Sequence, residues 1–450
     1  MRKALFPVLA VMIVASLSVQ TALADDHSAP AGNELQPRIL IALAEMLLTA
    51  KVVGELFERI KQPGVLGELL AGIIIGNLTL AGFHDANWIR TDAVIGALAQ
   101  IGVILLLFEV GLESNLAEML EVGWSALFVA VAGVIAPFFL GWGVSAYFLP
   151  DESRLVHIFI GAVLCATSVG ITARVLKDMG KVKLRESRII LGAAVIDDVI
   201  GLLILATVVG AVAAAAAGTS LSVVSIIWLA AKAIIFFIGA FVLGHFVVPP
   251  LFRGAGKLES RGVLLVLSIG FCFLLSWLAA KVELATIVGA FAAGLFLEDV
   301  HFKSFTDRGE RHLTQLLEPV TTFLVPIFFV LMGIKVDLRV FGNLKLIGFA
   351  LALTVAAIIG KQICSLAVAE RGLNRLAIGI GMIPRGEVGL IVAGIGAGLT
   401  LPNAQGVREP VVGAETFAAV VIMVVITTLL TPPLLKTSLA RTKTRSGTRS

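Results

Sequence analysis

Asp197 and Asp198 stand side by side in RIILGAAVIDDVIGLLILATVVGAV, an apolar stretch long enough to cross a bilayer as one helix. A carboxylate at the bilayer centre costs at least ~2.5 kcal/mol on insertion scales, so a chain that keeps two adjacent ones is expected to use them on ions or protons. Neighbours on a helix point ~100° apart. The two aspartates therefore cannot do the same job: one can face a fixed cation while the other faces a cavity. The fixed cation is Lys361, in VAAIIGKQICSL. Depth counting puts the aspartates about ten residues into their helix, ~15 Å and so at the midplane, and Lys361 about fifteen residues into its own, on the inner side of centre. Cation binding beside a Lys–Asp pair would loosen the lysine's proton, which links ion binding to proton release. Two bland readings stand beside this one. The aspartates could satisfy each other structurally, and Lys361 could snorkel toward the cytoplasm.

Two more polar runs interrupt apolar segments near their middles. CATSVGITA carries Thr167, Ser168 and Gly170, and GMIPRGEVG carries Pro384, Arg385, Gly386 and Glu387. Proline removes a backbone donor and glycine loosens a helix. Non-helical backbone at that depth survives only inside protein or beside a water-filled cavity. An interrupted helix also exposes unpaired N–H and C=O groups with their dipole ends, a polar centre that carboxylates and a lysine can balance. Arg385 and Glu387 read either as an ion pair stabilising the interruption or as ion ligands.

The elements that must position these groups are membrane helices. The chain is 58% hydrophobic and only 15% charged, with mean hydropathy +1.00 over 450 residues. Soluble domains run at roughly 25% charged. Thirteen apolar segments of about 17–25 residues follow one another, near 38–57, 64–82, 93–112, 125–148, 155–178, 187–214, 222–249, 262–281, 283–299, 319–336, 346–369, 374–399 and 412–435. Six, one and six of them correspond, with the fifth and twelfth interrupted at similar depth while entering from opposite sides. That is the pattern of inverted repeats around a midplane site. The expected architecture is an all-α polytopic membrane protein of about 13 transmembrane helices, with two interrupted, crossing helices.

Residues 1–24 read as a secretory signal, Met1-Arg2-Lys3 leading into an apolar run that closes on Ala22-Leu23-Ala24. An uncleaved extra helix is the alternative, and residues 25–37 lie outside, in the periplasm, on either reading. The transporter domain is then 38–436, followed by a basic cytoplasmic tail at 437–450. The loops this threading puts inside hold about twenty Lys and Arg against about seven outside. Segment 113–124, ESNLAEMLEVGW, is nominally inside yet has no basic residue. The formal charge of +4 is spread over short loops, so it reports orientation and not a nucleic-acid patch. Cys165, Cys272 and Cys364 sit at unrelated spacings in apolar segments, which excludes a disulfide framework and a CxxC metal site. They are expected to be packing residues. Glu45, Glu55, Glu68 and Glu109 are expected at helix ends or polar interfaces. His84, His157, His245, His301 and His312 share no ligand spacing, and no cofactor is expected.

Several motifs in order give the chain a resemblance: QPGVLGELLAGIIIGN at 62–77, GVILLLFEVGLE at 102–113, ATSVGITARVLKDMG at 166–180, LVPIFFVLMGIKVDL at 324–338 and GMIPRGEVGLI at 381–391, besides the Asp-Asp pair. From about 38 to 436 it resembles the monovalent cation:proton antiporters, bacterial Na+(K+)/H+ exchangers related to the Kef potassium-efflux systems. The resemblance implies the sodium/proton antiporter fold and alternating access. Core helices at about 125–214 and 346–436 would move against scaffold helices at about 38–112 and 262–336, with 222–249 as linker, in a homodimer of the bacterial inner membrane. It implies Asp198 as the ion- and proton-binding carboxylate, Asp197 as partner of Lys361, Thr167 and Ser168 as unwound-segment contacts, and Gly170, Pro384, Arg385, Gly386 and Glu387 as crossover residues. A chain ending at 450 is not expected to carry the nucleotide-binding regulatory domain of Kef proteins. The expected partners are Na+ or K+, H+ and membrane lipid. Electrogenic Na+/H+ exchange leads, with electroneutral K+/H+ exchange and a gated cation channel as alternatives. No repeated filter sequence supports the channel. An intramembrane aspartyl protease is discounted, because it needs its aspartates on facing helices.

Overall fold

The computed structural model describes residues 37–60, 62–78, 87–113, 123–218, 223–256, 258, 260, 262–297, 311–339, 343–402 and 407–440. The proposed signal, most of the basic tail, segment 114–122, His84 and His301 lie outside these residues. The helices are α1 (Pro37–Arg59), α2 (Gly64–Gly76), α3 (Ala93–Glu113), α4 (Trp124–Phe148), α5 (Arg154–Cys165), α6 (Val169–Asp178), α7 (Arg185–Ala216), α8 (Val223–Val242), α9 (Val248–Ala255), α10 (Val263–Lys281), α11 (Thr286–Leu295), α12 (Leu313–Ile334), α13 (Leu344–Ile363), α14 (Arg375–Gly381), α15 (Glu387–Gly398) and α16 (Ala414–Ala440). A short helix, Asn87–Thr91, precedes α3. Each of the thirteen apolar segments is met by one helix or by two in tandem.

Not every segment is a full-length span. Among the described residues, 8 helices are long and apolar enough to cross a membrane, while α2, α5, α11 and residues Val388–Gly398 of α15 are shorter apolar pieces. The second segment stops early because Asn77 terminates α2. Its side-chain amide donates to Ile73 O and Val336 O, both at 2.8 Å, and its Oδ1 accepts from Leu338 N at 2.9 Å. Hydropathy continues past that point, but the ladder does not. The expected single linker helix is α8, a π-helical turn at Leu243–Val247, then α9. Pro249 and Pro250 cannot donate to the carbonyls four residues back, and the ladder widens there. A two-stranded antiparallel hairpin, β1 (Thr400–Pro402) and β2 (Arg408–Pro410), joins α15 to α16 with Leu401 opposite Glu409. No hairpin was expected there.

The chain divides into two compact units, Met1–Leu106 with Gly309–Arg339 and Leu107–Arg308 with Val340–Ser450. In the first, α2 and α12 touch backbone to backbone: a Cβ on Gly72 would collide with Val330 O, and one on Gly333 with Leu69 O. In the second, Gly294 of α11 and Gly111 of α3 make the same reciprocal contact, against Phe108 O and Phe291 O. Positions 72 and 294, and 111 and 333, are each 222 residues apart. Gly67 against Val53 recurs as Gly289 against Leu275, again 222 apart, and Gly102 packs on Leu324, its own counterpart at that interval. Contacts that recur with the two chain halves exchanged are the packing of an internal two-fold repeat. Glycine makes this possible because membrane helices associate by close van der Waals approach rather than by hydrophobicity.

Candidate functional site

The second unit holds the polar centre. On α7, Asp197 is 1% and Asp198 7% exposed. Lys361, near the end of α13, is fully buried, and its Nζ donates to Asp197 Oδ1 at 2.8 Å. It does not snorkel. Gly133 of α4 lies under this pair: a Cβ there would be in van der Waals contact with it, 3.4 Å from Lys361 Nζ and 3.7 Å from Asp197 Oδ1, so a bare helix backbone forms the floor beneath the ion pair. Gly360, one residue before the lysine, is pressed against Pro137 of the same α4. Cys364 Sγ donates to Lys361 O at 2.8 Å as α13 tightens into a 3₁₀ turn at Cys364–Ala367.

Beside the pair, two broken helices cross. α5 stops at Cys165 and α6 starts at Val169; α14 stops at Gly381 and α15 starts at Glu387. The breaks are tied by backbone and side chain: Ser168 N donates to Pro384 O at 2.9 Å, and Thr172 Oγ1 donates to Gly381 O at 2.7 Å. Gly386 fits only because it has no side chain, since a Cβ there would stand 2.6 Å from Ser168 Oγ. Gly170 is the second residue of α6, just past the break. Arg385 is fully buried, and its Nη1 donates to Cys165 O at 3.3 Å, to Ala166 O, and to Thr167 Oγ1 at 3.4 Å. A guanidinium thus meets the negative dipole end of α5, where the last carbonyls have no helical partner. Thr428 of α16 donates to Arg385 O at 2.6 Å and fixes the loop from the other side. The Glu387 side chain lies outside the described residues.

Asp197 and Asp198 line a small cavity, about 20 Å³, with Gly201, Leu202 and Leu205 of the same helix, Ala162 and Ala166, Leu107 and Val110, Phe291, and Val388 and Val392. That is room for about one water-sized particle. Thr167 and Ser168 are buried at the break but do not line it, and neither do Lys361 and Arg385. Two carboxylates facing a small space with apolar walls, backed by a buried lysine, can take a bare monovalent cation or protons in exchange.

Sequence reasoning did not find Gly133, Cys364 and Thr428 as parts of this centre. Three threonines inside one span, Thr427, Thr428 and Thr431, were the available signal for the last. The glycine and the cysteine carry none, because their importance lies in what packs on them. Of the glutamates set aside, Glu55 pairs with Arg59 at 2.9 Å on the exposed side of α1, and Glu45 is buried in α1. His157 is buried in α5, where its Nδ1 is 2.8 Å from Ser145 Oγ of α4.

Residues 46–440 match the transmembrane sodium/hydrogen exchanger family. Among similar proteins, the high-affinity Na+/H+ antiporter NhaS3 of Synechocystis is 37% identical over 433 residues, covering 88% of this chain and 89% of that protein. The Na+/H+-K+ antiporter GerN of Bacillus cereus is 35% identical over 399 residues, 88% of this chain and 94% of that protein. The solved structure of the sodium proton antiporter MjNhaP1 from Methanocaldococcus jannaschii at pH 8 superposes with a TM-score of 0.67 at 16% identity, over 89% of this chain and 96% of that one. The last comparison shows the shared fold.

Proposed function

The chain belongs to the sodium/hydrogen exchanger family, and from that premise we propose that Asp198 is the carboxylate that takes cation and proton in turn, with Asp197 and Lys361 as its charge partners. The protein exchanges a monovalent cation for protons across a membrane that it spans many times. The observation that carries the assignment is the buried Lys361–Asp197 pair beside a cavity that both aspartates line. A carboxylate in such a place is costly unless it is paired, protonated or bound to a cation. Asp197 is paired with Lys361, and Asp198, on the cavity wall beside it, is the group that alternates between proton and cation. Thr167 and Ser168 are the proposed hydroxyl ligands at the break, while Gly170, Pro384, Arg385, Gly386 and Glu387 hold the crossover.

Na+ is the favoured substrate. K+ is the second reading, favoured by the similarity to an antiporter named for both ions. Alternating access moves core helices at about 125–214 and 346–436 against scaffold helices at about 38–112 and 262–336, linked by 222–249, in a homodimer. The membrane is the bacterial inner membrane, with the N-terminus periplasmic and the C-terminus cytoplasmic.

Proteoliposomes with a pH dye inside, challenged in turn with Na+, Li+ and K+, test the function. Asp198→Asn keeps the volume and removes the charge, so it should abolish cation-driven proton movement in a folded protein. Wild-type exchange by that variant would mean another group is the carrier.

A further inference from the structure

The cavity beside the aspartates has side-chain oxygens only from Asp197 and Asp198 among its described lining residues; the rest are Ala, Val, Leu, Phe and one glycine. Gly201 follows Asp198 by three residues and Asp197 by four, so it shares their helix face. Leu202 and Leu205 continue the same lining stripe. A Cβ built on Gly201 meets no atom within 4 Å. At Gly381 and Gly386, by contrast, a neighbour already stands where the Cβ would go. Gly201 leaves its space empty, and it lines the same cavity as the two carboxylates.

We propose that Gly201 is the size gauge of the cation site: the missing side chain leaves the room in which the cation sits against Asp198. The proposal rests on the assignment of Asp198 as carrier. Two carboxylates cannot complete a coordination shell, so the hydroxyls proposed at the break or water supply the remaining ligands. With only about one water's worth of space present, a methyl group at Gly201 removes the larger ions first. One methylene in a fitted pocket discriminates by about ten- to two-hundredfold.

The test is Gly201→Ala in proteoliposomes, with KM measured for Li+, Na+ and K+. Alanine favours the helix and has open space to enter, so the fold is kept. Gly143→Ala in α4 is the control, because a Cβ there also meets nothing and Gly143 does not line the cavity. The expected result is a KM ratio of K+ to Li+ that rises at least about tenfold in Gly201→Ala and stays at the wild-type value in Gly143→Ala. An unchanged ratio in Gly201→Ala, or an equal shift in both variants, overturns the gauge. Asp198→Asn run alongside separates the two claims. If it is inert while Gly201→Ala keeps wild-type ratios, the gauge alone fails; if it is active, the carrier assignment fails.

Discussion

Lys361 engages one oxygen of Asp197 at 2.8 Å and leaves the other, also buried, without a hydrogen-bond partner among the described residues. The pair is therefore half satisfied. Removing one partner of a buried ion pair costs roughly 3–5 kcal/mol, mostly through the charge left behind. Lys361→Met and Asp197→Asn should each lower the thermal midpoint of the purified protein, since each leaves its partner's charge buried and alone. Lys361→Met with Asp197→Asn should recover much of the loss. A double-mutant cycle in which the two single effects simply add would mean that the pair is not coupled.

What the sequence made legible was chemistry out of place: carboxylates, a lysine, Pro and Gly inside apolar stretches. Those are local signals, and each falls in the polar centre or at a break. What it hid were relationships between distant positions. Lys361 and Asp197 are 164 residues apart, and the glycine floor under them at Gly133 looks like any small residue in a span. Span length was also obscured, because hydropathy runs on past Asn77 while the helix stops at a side-chain cap. The 222-residue register was not visible as a repeat of letters. It exists as a repeat of helix contacts, and only some of its glycines are shared between the halves.

The close helix pair in the first unit predicts a stability effect independent of transport chemistry. Gly72→Ala forces a methyl into the backbone of Val330, with rigid helices on both sides, and overpacking of this kind costs about 1–3 kcal/mol. Gly143→Ala, with open space, should be neutral or slightly stabilising. Thermal unfolding of the two variants in the same detergent measures the difference, and equal midpoints would mean that α2 and α12 separate without strain.

Outside the membrane, Arg185 grips Glu370 with Nε at 3.1–3.2 Å and Nη2 at 2.7 Å. The hydrogen bonds from Arg185 hold the Glu370 carboxyl below the usual carboxylate range. A depressed folded-state pKa means that the stabilisation is present above the unfolded value and is lost as pH falls through the folded one. Both side chains are over a third exposed, so the contribution stays below about 1 kcal/mol. Glu370→Gln should cost that small amount at neutral pH and nothing in acid. A variant whose deficit grows on acidification would contradict the sign.

Charge movement gives the sharpest prediction of the proposed mechanism. Asp198 and Lys361 can each give up a proton when one monovalent cation binds: Asp198 because the cation takes its place, Lys361 because its bond to Asp197 is exchanged for the cation. Two protons against one cation leave a net charge to cross the membrane, and a potential acts on that charge at ~2.3 kcal/mol per 100 mV. Turnover in proteoliposomes should then rise or fall with the sign of a potassium–valinomycin potential. Lys361→Ala should weaken that response or stop exchange, because the second proton leaves with the lysine. Wild-type exchange that ignores the imposed potential would sink the two-proton scheme. One-for-one electroneutral exchange, with Lys361 as a fixed counter-charge to Asp197 and K+ as the better substrate candidate, would take its place.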